Sequence, residues 1–79
     1  MPAMTIVVDD VMPNSDTEVQ VAYRWWAGGA NDSESIPTAV QSNASQMNSA
    51  IINDAVAKAA LQGVTVAPAD RKMIVGGFN

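Results

Sequence analysis

The chain has 79 residues, with eight acids against four bases and neither Cys nor His, so its formal net charge is -4. Disulfides and zinc-thiolate sites are excluded, and the commonest transition-metal ligand and the usual general base are both missing. Length points to one small α+β domain, 1-79, and the acidic balance argues against nucleic acid and against anionic membrane as partners.

The first predicted element is Met4 to Met12, "MTIVVDDVM", β-branched and apolar, which reads as a strand. The opening "MPAMTIVVDDVM" has no basic start and too short an apolar run for a secretory signal. No run approaches the ~18 apolar residues of a membrane span. Asp9 and Asp10 are adjacent, so on a strand they diverge to opposite faces. That geometry suits charges guarding a sheet edge better than a cation site or an acid-base pair.

"PNSD", Pro13 to Asp16, is a turn cluster. Thr17 to Ala27 is the second strand, and with the first it makes an antiparallel hairpin. Val19, Val21, Tyr23 and Trp25 share one face, a core face. Glu18, Gln20, Ala22, Arg24 and Trp26 share the other, which is polar until Trp26.

"GGANDSESIP", Gly28 to Pro37, reads as an acidic loop carrying Asp32 and Glu34. It lacks the register of a calcium loop, so a solvated loop is expected. Neither Gly28-Gly29 nor Gly76-Gly77 is followed by the Lys-Ser/Thr of a phosphate loop.

One long helix is expected from Thr38 to Gln62, with Gly63 as its C-terminal cap. Val40, Ala44, Met47, Ile51, Ala55 and Ala59 recur at helical spacing and form its apolar stripe. Ile52, Val56 and Ala60 run beside them. Asp54 and Lys58 form a favourable i,i+4 pair. The first half of this helix is neutral and polar, rich in Ser, Asn and Gln, and such a segment needs support from other parts of the fold or other chains.

"VTV", Val64 to Val66, reads as a short strand, "APADR" as a turn, and "KMIVGGF" as a last strand or extended tail. The expected fold is therefore α+β. It has a small antiparallel sheet, the N-terminal hairpin plus a C-terminal strand or strands, with one long helix packed on it, in the order β-β-α-β(-β).

The catalytic inventory is thin. Without His or Cys only Ser-Lys arrangements remain for nucleophile chemistry, and no Ser-x-x-Lys occurs. The expectation is a protein that is not an enzyme, with no cofactor, no metal and no small-molecule substrate. Charged residues are 15% of the chain, against about 25% in an average soluble domain. A neutral polar surface is better matched to other protein than to water.

Tyr23, Arg24, Trp25 and Trp26 admit three readings: a stacking platform for a ligand, plain core, or a protein interface. Core plus interface outweighs ligand binding in an acidic chain. Trp25 has a place at the end of the core face. Trp26 stands on the opposite side and must be covered by the C-terminal segment or by another chain, and another chain is expected. The candidate interface residues are Arg24, Trp26, Gln41, Asn48 and Phe78.

The leading "MTIVVDDV", the second strand "PNSDTEVQVAYRWWA", the neutral polar helix and the ending "GGFN" resemble, in style, minor structural proteins of tailed-bacteriophage virions. That resemblance implies a structural or assembly protein of a viral particle, either a capsid cement or decoration protein or a neck or tail component. Its partners would be other copies of itself or larger virion proteins. Its location would be the virion, and the host cytoplasm before assembly. The alternative is a small acidic inhibitor or regulatory protein that meets one discrete protein partner through Asp32 to Glu34.

Overall fold

A computed structural model describes residues 2–40, 44–71 and 73–76, with backbone alone for 73–75. Three strands of ten residues form an antiparallel meander: β1 (Met4–Pro13), β2 (Glu18–Ala27) and β3 (Ala30–Ala39). One helix, α1 (Ala44–Leu61), follows and packs on one face of the sheet, so the order is β-β-β-α.

β1 and β2 pair with Ile6 opposite Trp25 and Val8 opposite Tyr23. The register then slips between Val8 and Asp10, leaving Asp9 as the extra residue of a β-bulge. Alternation on β2 turns Val21, Tyr23, Trp25 and Ala27 inward, where all four are buried. Met4 and Ile6 join them from β1, and Val19 is half-buried at their margin. Met47, Ile51, Ala55 and Ala59 recur at i, i+4 spacing and close the core from the helix. Val66 adds one more buried side chain after the helix.

The helix ends as Gly63 was expected to end it. Gly63 takes φ 81, its N–H donates to Ala60 O at 3.0 Å, and Val64 N–H donates to Ala59 O at 3.0 Å. This is a Schellman cap, with Val64 laid back on the core.

Three expectations need correction. Gly28 to Pro37 is not a loop. Gly28-Gly29 is a two-residue turn with Ala27 opposite Ala30, and from Ala30 on the chain is β3. Gly28 has φ 60 while Gly29 is not in the positive region, the pattern of a type II′ hairpin turn. Thr38 and Ala39 belong to that strand, so the helix does not begin at Thr38 and Val40 lies outside its stripe, 54% exposed. Finally, no C-terminal antiparallel strand joins the meander among the described residues. Residues 64–66 belong to no strand, and the chain passes through a 3-10 turn at Pro68–Asp70. Only the backbone of β4 (Met73–Val75) makes three bridge pairs, in parallel, with residues 5–7 of β1.

β3 is an open edge. Val40 N–H donates to Thr17 O at 2.9 Å, and antiparallel alternation from that pair turns the nitrogen of Pro37 away from β2. Pro37 thus costs no hydrogen bond inside the sheet and removes one donor from its exposed rim.

Candidate functional site

The helix covers one face of the sheet and leaves the other open. On the covered side a polar cluster ties α1 to β2 and β3. The Tyr23 hydroxyl donates to Asp54. Trp25 Nε1 donates to Glu34 Oε2 at 3.1 Å. Lys58 Nζ stands 3.3 Å from Asp54 Oδ2 and 3.5 Å from Glu34 Oε1. Burial, followed by the hydrogen bond to Asp54 and the charges of Asp54 and Glu34, holds the Tyr23 phenol far above its ordinary range. Burial pulls Lys58 down, but its bonds to Asp54 and Glu34 and their charges outweigh that and raise it. Every group in the cluster is satisfied by another, so it is a clamp between helix and sheet rather than a poised reactive centre.

Glu34 was read from sequence as part of a solvated acidic loop. Its side chain is only 15% exposed, because β3 alternation turns it inward beneath Lys58. Asp32 shares that face and meets Gln62 Nε2 at 3.4 Å.

The open face is built in rows by the register. Thr5, Trp26 and Asn31 form one, and Val7, Arg24 and Ser33 the next. Beyond the bulge come Asp10, Ala22 and Ser35, then Met12, Gln20 and Pro37. Trp26 is 39% exposed, one of the large hydrophobic residues left open to solvent. The Arg24 guanidinium sits over that ring, 5.4 Å from its centroid. Arg24 Nε and Nη2 donate to Asp9, with Nε 2.8 Å from Oδ2 and Nη2 2.8 Å from Oδ1. Alternation from Val7 puts Asp9 on this face beside Arg24, and the bulge adds Asp10 to it opposite Ala22. Further along, Gln20 Nε2 donates to Ser35 Oγ at 2.8 Å, and Asn14 Nδ2 to Gln20 Oε1 at 2.9 Å. The result is a neutral polar strip ending in an arginine-backed tryptophan.

Of the candidate interface residues, Arg24 and Trp26 come together on this face. Asn48 lies half-buried on the helix, on the other side of the sheet. Gln41 and Phe78 lie outside the described residues. Sequence reading missed Asp9 as the partner of Arg24, since the register that sets Val7 opposite Arg24 is not legible in "VVDDVM". β4 runs beside β1, with β1 between it and Trp26, so its backbone is not laid over Trp26.

Among the described residues there is no pocket, no group of three or more metal-competent side chains, and no helix long and apolar enough to cross a membrane. No family model matches the chain, and no curated protein or solved structure matches it either.

Proposed function

We propose that the chain is a non-enzymatic structural or assembly protein that works through contacts with other protein chains. The carrying observation is the uncovered sheet face with Trp26 held on it by Arg24 and Asp9. Trp and Arg are the side chains that most often anchor protein interfaces. A neutral polar strip around such an anchor is easily desolvated, because little charge has to leave water. The sequence style extends the proposal to a viral particle, as a capsid cement or decoration protein or a neck or tail component in contact with itself or with larger virion proteins.

The inhibitor reading has less support, since of the two acids in its contact segment only Asp32 is exposed. The segment that would meet a basic partner is a strand whose Glu34 is turned inward onto Lys58 and Trp25.

The test is the size of the species that carries the chain in its natural source, measured by gradient sedimentation with quantitative mass spectrometry. Many copies co-migrating with a large particle, and loss of the chain from that particle on Trp26→Ala, are the expected results. A chain that sediments there as a free 8.3 kDa species overturns the proposal.

A further inference from the structure

We infer that the open sheet face packs against the same face of a second copy, with the two sheets reversed end to end. The inference rests on the proposal above that this face is a protein contact, and it names the partner.

The face is graded along the strands. One end carries Trp26 and Arg24, whose charge is met by Asp9. The other carries Met12, Gln20 and Pro37 with Glu18 beyond them, and the small Ala22 and Ser35 lie beside Asp10 nearer the middle. Such a face fits itself in one sense only. A two-fold axis crossing the strands between Ala22 and Arg24 lays each Trp26 over the Gln20–Pro37 row of the other copy. It also lays each Arg24 over Ala22, beside Asp10. Every contact then occurs twice, as an isologous interface requires. Keeping the two sheets in the same sense instead puts Arg24 on Arg24 and Glu18 on Glu18.

The distribution of charge favours the same arrangement. Asp9, Asp10, Asp16 and Glu18 fall in residues 9–18 with no base among them, and the other four acids are balanced by the four bases. These four acids run from the middle of β1 through the β1–β2 turn to the start of β2. Asp10 stays beside the axis, near Arg24 of the other copy, while reversal carries Asp16 and Glu18 of the two copies to opposite extremes of the pair, roughly 30 Å apart for strands of this length. That is well beyond the ~8 Å over which salt lets charges interact at physiological strength.

The Trp26 indole N–H makes no hydrogen bond among the described residues, and reversal brings the amide oxygen of Gln20 beneath it as an acceptor. Area sets the strength. Three strands about 4.8 Å apart and ten residues of about 3.3 Å each give a flat face of roughly 470 Å² per copy. Two copies come close to the ~1,000 Å² at which a specific interface begins. A reversible dimer follows, one that becomes firm only when other contacts hold the copies together.

The experiment uses the purified chain. Sedimentation velocity from micromolar to millimolar concentration should give a monomer–dimer equilibrium, which Trp26→Ala weakens at least about tenfold. Thermal melting at low concentration checks that this variant still folds. Because the chain has no Cys, single-cysteine variants can report orientation. A bis-maleimide with a spacer of about 10 Å, the separation of packed sheets, should couple Ala22→Cys and leave Ser15→Cys uncoupled. A wild-type chain that stays monomeric to millimolar concentration overturns the inference. In that case the face belongs to a different protein, and the assembly proposal stands on its own test. Dimers that ignore Trp26→Ala, or that couple through Ser15→Cys and not Ala22→Cys, overturn it as well.

Discussion

Asp9, the extra residue of the β1 bulge, holds Arg24 with both carboxylate oxygens while Arg24 lies on the ring of Trp26. The three residues act as one unit on the open face. The ion pair itself is exposed, 47% on the Arg24 side and 38% on the Asp9 side, so it contributes little to folding. Asp9→Ala should change stability by less than about 1 kcal/mol. It should instead free Arg24 from its position and expose more of Trp26. Tryptophan emission with iodide quenching reads this directly, since Trp25 is buried and only Trp26 meets solvent. Quenching unchanged from wild type would mean that the bulge does not position the tryptophan.

Tyr23 is the only tyrosine, so phenolate absorbance reports a single group. Its folded pKa is raised, by burial first and then by Asp54. A raised folded pKa means that the stabilisation is complete below the unfolded value of about 10 and is lost as pH climbs above it. The native chain should therefore show no phenolate at a pH where free tyrosine is half ionised. Ionisation should appear together with unfolding, as one alkaline transition. Tyr23→Phe should remove that coupling and cost about 1 kcal/mol for the lost hydrogen bond. A phenolate curve centred near 10 in a folded chain would contradict the buried Tyr23–Asp54 contact.

The two glycines of the β2–β3 turn should respond differently to alanine. Gly28 sits at φ 60, with Pro2 within 3.5 Å of where a Cβ would lie. Gly28→Ala should cost about 1–2 kcal/mol from the left-handed backbone. Gly29 has open space around it and no positive φ. Gly29→Ala should be neutral or stabilising by up to about 1 kcal/mol, through a less flexible unfolded chain. Urea unfolding of the two variants distinguishes them.

Pro37 faces its missing donor to the open edge of the sheet, so Pro37→Thr should leave stability within about 0.5 kcal/mol of wild type. It should also restore an outward N–H and lengthen the stretch able to accept a foreign strand. The expected outcome is a higher rate of fibril or sheet-edge aggregation in agitated samples, followed by thioflavin fluorescence. An unchanged rate would show that the inward acids of β3 guard the edge without help.

The core was largely legible from periodicity. Val21, Tyr23 and Trp25 alternate, and Met47, Ile51, Ala55 and Ala59 step by four, and both patterns led to the residues that are buried. β3 was not legible because its composition contradicts its structure. Asn31 to Ser35 is a run of turn-formers, and tertiary pairing with β2 overrides their weak strand preference. The overlooked signal was Gly28-Gly29, two residues that suit a hairpin turn directly after a clear strand. On the open face, Arg24 and Trp26 followed from alternation alone. Asp9 also follows from alternation with Val7; Asp10 does not, because the bulge is what turns it to the same face opposite Ala22. The clamp of Asp54, Lys58 and Glu34 was legible only in its i,i+4 half. Its other half spans the sheet and the helix.

The meander has a consequence for how the molecule is made. β2 pairs with β1, β3 with β2, and the helix folds back over the meander, while β4 returns to pair with β1. Loop closures between the meander strands are short, and the entropy lost in each is small. The hairpin contacts close over short turns and can form early, while the β1–β4 pairing joins residues 5–7 to 73–75 across most of the chain. During synthesis the meander can take shape on the ribosome while the helix is still being added. A particle that draws on many copies would receive them already folded, in the order in which the message is read.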